Sequence, residues 1–343
     1  MSTSRGITLG KFLPLHDGHA LLLRAAAMHC DELIVLVGVT PDDPYSFEQR
    51  EQWINSVLNA QSQRRATVRI VSDPDPDPAV AKDAAGTVTD AGYWDRWLHQ
   101  NATALADVEF VFTSDVYGAE IARRIGARWF PVDPGREVVP VAARQIRGDT
   151  HRYFGFVSDA AKPDVAMTVA VVGAESTGKS TLVKALADHY QTSYAPEWGR
   201  IISEAHPDLT ARDFDHIVSM QTELIHTAQR SSNGLCFTDT EAITTALFAP
   251  VYLGDEHAAS WQCARAQNFA LYLVLDPAVP WINDGTRVLD TAQRLRFHTD
   301  LVAALQRLNK PYQIIAGDSY AKRASGAIAA IDAMATTLFS VPV

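Results

Sequence analysis

Cysteine is scarce in this chain: Cys30, Cys236 and Cys263 are the only three in 343 residues, and no two are spaced Cys-x-x-Cys. That argues against a metal or redox role and predicts buried, reduced thiols in a cytoplasmic protein. Positive charge is also in deficit, with 30 Lys and Arg against 40 Asp and Glu and a formal net charge of −10. A general nucleic-acid surface would need clustered Lys and Arg, so nucleic acid is not an expected partner. A local basic pocket for phosphates remains compatible with that balance. No run of about 18 apolar residues occurs, so no membrane span is expected. The strand-like Gly6-Ile7-Thr8-Leu9 follows the first residues so closely that no signal peptide is expected either. With 47% hydrophobic residues over this length, two domains are the natural expectation.

The first half alternates strand and helix signals. Glu32–Val39 is a continuous apolar run of the kind that forms a buried parallel strand, and shorter strands are predicted at Ile7–Leu9, Thr67–Val71, Phe110–Thr113 and Arg128–Pro131. Helices are predicted over Ala20–Cys30, Glu48–Ala60, Tyr93–Ala104 and Gly118–Ile125. The Asp-Pro repeat at 73–78 must be a loop, because each Asp preceding a Pro is pushed away from helix. Gly148–Asp164 is the best boundary, with a short helix around Tyr153–Phe156 and then a polar stretch. Strands resume at Met167–Val172, Leu235–Thr238, Leu271–Leu275 and Tyr312–Ile315. The expected fold class is α/β, with two doubly wound parallel-sheet domains over residues 1–157 and 165–343.

Two phosphate-binding patterns stand out, and each opens a strand–loop–helix unit. The first is Gly-Lys-Phe-Leu-Pro-Leu-His-Asp-Gly-His at 10–19. It puts His16 and His19 at a helix start, where unpaired N–H groups and the dipole favour anions. Gly18 permits a tight turn and Lys11 adds fixed positive charge. No third ligand at helical spacing supports a metal site there. This stretch, Gly10 and Phe12 included, resembles the signature of the nucleotidyltransferase family that transfers an adenylyl or cytidylyl group with release of pyrophosphate. The resemblance implies that His16 and His19 hold a triphosphate, with catalysis by positioning and electrostatics rather than through a covalent nucleophile. That family's second signature, Ile-Ser-Ser/Gly-Thr-x-Ile-Arg, is here Val141-Ala142-Ala143-Arg144-Gln145-Ile146-Arg147. Arg147 keeps its place, while both hydroxyl positions are alanine. Each lost charge-assisted bond costs about 1.5–3 kcal/mol, so the domain either transfers adenylyl groups, with Arg144 as a new phosphate contact, or only binds.

The second pattern is Gly173-Ala174-Glu175-Ser176-Thr177-Gly178-Lys179-Ser180, a P-loop without mismatch, followed by Thr181. An apolar strand precedes it and a helical stretch follows, which is the context such a match needs. Its amides would wrap a β-phosphate, Lys179 would bridge β and γ, and Ser180 would coordinate Mg²⁺. Glu197, after a short strand, is a candidate to accept the proton of a substrate hydroxyl, with Arg200 and Trp198 holding that substrate. Asp239 ends the strand Leu235–Thr238, where a Mg²⁺-linked carboxylate belongs. Arg287 and Arg294, after Asp284, are expected to form a cationic lid; Arg296 fits a solvated helix face equally well.

The order of the two patterns, with Thr113–Gly118, Phe237–Thr240 and Pro280–Arg287, resembles the bifunctional NadR family of NAD salvage over nearly the whole chain. The resemblance implies ATP and Mg²⁺ as cofactors and two steps. Nicotinamide riboside is phosphorylated to NMN by the C-terminal domain, and NMN is adenylylated to NAD by the N-terminal one. Some members carry an N-terminal helix-turn-helix repressor domain, which is not expected here. Trp94 or Trp97 in the first domain, and Trp198 or Trp281 in the second, are candidates to stack on the nicotinamide ring, with core packing the competing reading for each. Asp284 is a further substrate-binding candidate. A kinase acting on another nucleoside, or a regulatory first domain, are the alternatives. Oligomeric state is left open.

Overall fold

A computed structural model describes residues 3–60, 66–74, 92–206, 208–278 and 289–339. The chain divides into two compact units, Met1–Lys162 and Pro163–Val343.

In the first unit the strands are β1 (Arg5–Gly10), β2 (Glu32–Val39), β3 (Thr67–Pro74), β4 (Phe110–Thr113) and β5 (Arg128–Pro131). They pair in parallel in the order β3-β2-β1-β4-β5. The helices are α1 (Asp17–His29), α2 (Phe47–Asn59), α3 (Tyr93–Gln100), α4 (Ala102–Leu105), α5 (Tyr117–Ile125), α6 (Ala143–Gly148) and α7 (Thr150–Tyr153), which runs into a 3₁₀ turn at Phe154–Phe156. Strand order reverses at β1, so the loop after β1 opens into the crevice beyond the strands' carboxyl ends, where such sheets bind ligands. α1 buries Ala20, Leu22, Leu23, Ala26 and Ala27, one apolar stripe at helical spacing. The expected single helix over Tyr93–Ala104 is broken at Asn101. That side chain is buried and donates to Asp73 Oδ1 at 2.9 Å and to the Trp97 carbonyl at 3.1 Å.

The second unit contains β6 (Met167–Val172), β7 (Tyr194–Ala195), β8 (Leu235–Asp239), β9 (Leu271–Leu275) and β10 (Tyr312–Ile315), parallel in the order β10-β9-β6-β8-β7. The short helix α8 (Lys162–Val165) leads into it, and α9 (Lys179–His189), α10 (Trp198–Ala205), α11 (Ala211–Ser231), α12 (Ala242–Leu253), α13 (Ala258–Ala266), α14 (Thr291–Arg307) and α15 (Tyr320–Phe339) follow. Strand alternation divides the core. Val169 and Val171 of β6, with Leu271, Leu273 and Leu275 of β9, pack on one face. Ala170, Val172, Tyr272 and Val274 pack on the other. Because both faces are covered, these strands read as unbroken apolar runs, and each fully buried Leu or Val contributes about 1.5–3 kcal/mol. The fold is thus α/β with two all-parallel five-stranded sheets among the described residues.

Candidate active sites

In the first unit β1 ends at Gly10 and the chain turns through Phe12, whose φ of 52° is left-handed, into α1. His16 is the N-cap of α1, and its Nδ1 accepts from the Gly18 amide at 3.1 Å. A Cβ at position 18 would lie 3.0 Å from His16 Cε1, so any side chain there would have to displace the imidazole. The His16 amide in turn donates to His19 Nδ1 at 3.4 Å. Both Nδ1 atoms are therefore acceptors, which leaves each ring proton on Nε2. The imidazoles stack with centroids 3.7 Å apart, and Phe12 meets His19 edge-on at 4.9 Å.

Burial, then Arg136 and Arg147, push His16 down to about 4. Burial, then its neighbour His16, hold His19 well below the usual imidazole range. Both are neutral donors at pH 7, and the positive charge of the site sits elsewhere. Lys11 Nζ lies 3.5 Å from Thr40 Oγ1 and 3.9 Å from Asp43 Oδ1. Arg147 Nη1 donates to the Leu13 carbonyl at 2.5 Å, which ties α6 to the signature loop. Arg144 is exposed at the start of α6. Arg136, which the sequence reading missed, joins this cluster. Its Nη2 pairs with Asp115 Oδ1 at 2.9 Å, in a loop where Asp133 accepts the amides of Glu137, Val138 and Val139. The available signal was its place just beyond the carboxyl end of β5.

The two tryptophans of this unit sit differently. Trp97 is 2% exposed and its Nε1 donates to Asp73 Oδ2 at 2.8 Å, so it serves the core instead of an open stacking face. Trp94 is half-buried, edge-on to Trp97 and stacked on Tyr117 at 6.1 Å.

In the second unit the P-loop follows β6. Gly178 adopts φ +87°, a conformation strained for any L side chain, immediately before Lys179 opens α9. Lys179 is 5% exposed, and its Nζ donates to the Ala174 carbonyl at 3.2 Å, a bond that an incoming phosphate can replace. Thr177 Oγ1 donates to the same carbonyl at 2.8 Å. Ser176 holds the loop with φ 58°, and Glu175 Oε2 accepts from the Leu289 amide at 3.1 Å. Thr181 exposes its side chain in the first turn of α9 while its carbonyl accepts from Tyr320 Oη at 2.8 Å.

Asp239 reaches the P-loop from the end of β8, next to β6 in the sheet. It is 3% exposed and hydrogen-bonded by the Ser180 side chain. Burial, then the nearby Glu197 carboxylate, raise its carboxyl, and Lys179 opposes the rise. Its Oδ1 is buried with no hydrogen-bond partner among the described residues. An orphaned carboxylate oxygen beside a serine hydroxyl and a lysine fits a hard, oxygen-seeking cation such as Mg²⁺, which takes few protein ligands when phosphates supply the rest. Glu197 pairs with Arg200 at 2.9 Å.

Gln221, 3% exposed, connects the two carboxylates' segments. Its Oε1 accepts the Trp198 amide at 2.8 Å, and its Nε2 donates to the Pro196 carbonyl and Thr238 Oγ1, each at 3.2 Å. The sequence signal for Gln221 was a polar residue on the apolar stripe of α11, which also carries Phe214, Ile217, Val218 and Ile225. A cleft open to solvent runs from Lys179 past Glu197 and Arg200 to Phe214, Phe248 and Tyr252. Its aromatic lining therefore comes from α11 and α12. Trp198 instead packs with Leu209, Phe214 and Ile217 in a neighbouring apolar cluster.

Arg294 also differs from the expected lid role. It is 2% exposed and bonds backbone carbonyls of Glu175 and Pro277, so the guanidinium is spent on the scaffold of the loop. Asp284, Arg287 and Trp281 lie outside the described residues.

A family model described as "AAA domain" matches residues 168–323. The trifunctional NAD biosynthesis/regulator protein NadR of Escherichia coli (strain K12) is 29% identical over 341 residues, 93% of this chain and 80% of that protein. NadR of Salmonella typhimurium (strain LT2) is 29% identical over 327 residues, 89% of this chain and 77% of that protein. A crystal structure of NadR protein in complex with NR has a TM-score of 0.70 at 23% identity, covering 100% of this chain and 98% of the other. A second, of NadR protein with NAD and AMP-PNP, has a TM-score of 0.68 at 22% identity and the same coverage. These two share the fold along the whole chain, and the sequence matches make the chain similar to NadR over about nine-tenths of its length.

Proposed function

We propose that residues 165–343 phosphorylate nicotinamide riboside with ATP, giving NMN, and that residues 1–157 transfer an adenylyl group from ATP to NMN, giving NAD and pyrophosphate. The observation that carries the reading is the convergence of Lys179, Ser180 and Glu197 on Asp239, with Lys179 and Glu197 lining the cleft that Phe214, Phe248 and Tyr252 also line. The relatives' names and the bound NR and NAD of the similar structures supply the substrate class.

In the kinase unit Lys179 leaves the Ala174 carbonyl for the β- and γ-phosphate oxygens, while the P-loop amides hold the chain in place. Ser180 and Asp239 would hold Mg²⁺, whose contribution is to neutralise charge on the phosphates. Glu197 accepts the proton of the ribose hydroxyl, with Arg200 fixing its orientation. The aromatic lining, with Glu197 and Glu204 among the cleft residues, suits a flat cationic pyridinium ring. In the first unit the Nε2–H groups of neutral His16 and His19, with Lys11, Arg136 and Arg147, bind the triphosphate and stabilise charge developing on it.

The alanines at 142 and 143 favour a second reading, in which the first unit binds pyridine nucleotide and regulates the kinase without turnover. Product analysis after incubation with nicotinamide riboside, ATP and Mg²⁺ separates the cases. NAD is expected; NMN alone supports the second reading, and neither product removes both.

A further inference from the structure

A P-loop turns its amides inward toward phosphate, so its carbonyls face protein and need partners of their own. Two buried guanidiniums supply them. Arg323 of α15 is 4% exposed and binds three carbonyls from three separate segments. Nη1 donates to Thr177 at 3.0 Å, Nη2 to Asp276 at 2.7 Å and Nε to Gly317 at 3.1 Å. The fit is close, since a Cβ at Gly317 would lie 3.2 Å from Arg323 Cγ. Arg294 of α14 bonds the Glu175 carbonyl at 2.9 Å and the Pro277 carbonyl at 3.3 Å.

The choice of partners is informative. Arg323 spends its donors on backbone carbonyls, and the Asp276 carboxylate lies close enough to act on its charge, so what it supplies to the loop is shape. A lysine would not reproduce this set, because its donors radiate from one nitrogen whereas Arg323 uses three separate nitrogens, one for each carbonyl. Among these contacts only the Thr177 bond touches the P-loop directly; the other two anchor that bond to the ends of β9 and β10.

We propose that Arg323, assisted by Arg294, is a positioning residue that presets the P-loop for nucleotide. It holds the loop in its phosphate-binding shape before ATP arrives. This rests on the kinase reading but concerns nucleotide affinity, which is measurable without any nucleoside.

The test compares full-length parent, Arg323→Lys and Arg323→Met by calorimetric titration with ATP and Mg²⁺, alongside steady-state kinetics. Loss of charge-assisted bonds of this kind corresponds to a rise of about 10- to 100-fold in the Kd and KM for ATP. The KM for nicotinamide riboside should move less than about threefold, because Arg323 does not line the cleft. A merely structural role would lower Tm and leave ATP affinity of the folded protein unchanged, and that result overturns the proposal. If neither Arg323 variant folds, Arg294→Lys carries the same expectation, and unchanged ATP affinity there also overturns it. Parent protein that binds ATP but does not phosphorylate the riboside defeats the kinase reading alone.

Discussion

The two phosphate sites of this chain solve one electrostatic problem in different ways. Around His16 and His19 the groups that would meet phosphate are side chains, two of them neutral imidazoles stacked 3.7 Å apart, with the charge carried by Lys11, Arg136 and Arg147 around them. After β6 the ligand-binding groups are mostly backbone, and the charges are buried: Lys179 inside the loop, Arg294 and Arg323 behind it. The first arrangement depends on several side chains reaching one place. The second depends on a backbone shape and on whatever holds that shape. Substitutions in a side-chain site should therefore weaken it piecemeal, whereas the backbone site should fail when one of a few bracing or bridging groups is lost.

The sharpest break of that comparison is at Glu197. If it is the base for the ribose hydroxyl, Glu197→Gln should lower kinase kcat by about 10²- to 10⁴-fold with little change in ATP affinity, as read by single-turnover kinetics. Lys179→Ala should cost about 10²- to 10³-fold in the same assay while adenylyl transfer from added NMN stays at the parent rate. His19→Ala should do the reverse, reducing adenylyl transfer and sparing the kinase. Equal damage to both activities by either variant would remove the independence of the sites.

A smaller effect follows from burial of His16. Its folded value near 4 lies below the ordinary value of 6.5, so the unfolded chain binds more protons between the two. The stabilisation is present above about pH 6.5 and is lost as pH falls toward 4, on the order of 3 kcal/mol in all. Hydrogen exchange of α1 amides across that range should show the loss, and His16→Gln should reduce it, leaving the share that belongs to His19. The smallest expected effect is at Gln221, where Gln221→Ala leaves the Trp198 amide and the Pro196 carbonyl without their partner. That should cost about 1–3 kcal/mol by denaturant melts and loosen Glu197.

Much of this was legible in the residues. Glu32–Val39 and Leu271–Leu275 match their strands to the residue, because a strand covered on both faces must be apolar throughout. The P-loop and the His16–His19 turn announce themselves because glycine positions and short spacing encode backbone shape. What stayed hidden were side chains whose role is set by distant partners. Arg323 and Thr177 are 146 residues apart, and nothing local marks either as the other's partner. Stacking and core packing are both open to Trp97 from its sequence, and Asp73, on β3, is the partner that holds its indole in the core. Asn101 breaks a helix that its neighbours would have continued, for the same long-range reason.

The two-site scheme is tested most directly by following the phosphates. With nicotinamide riboside and ATP labelled at the γ-phosphate, the NAD formed should carry that label in its nicotinamide half; label at the α-phosphate should appear in its adenylyl half. NMN that keeps the γ-label while no NAD forms, or NAD free of γ-label, would contradict two phosphate sites working in series on one nucleoside.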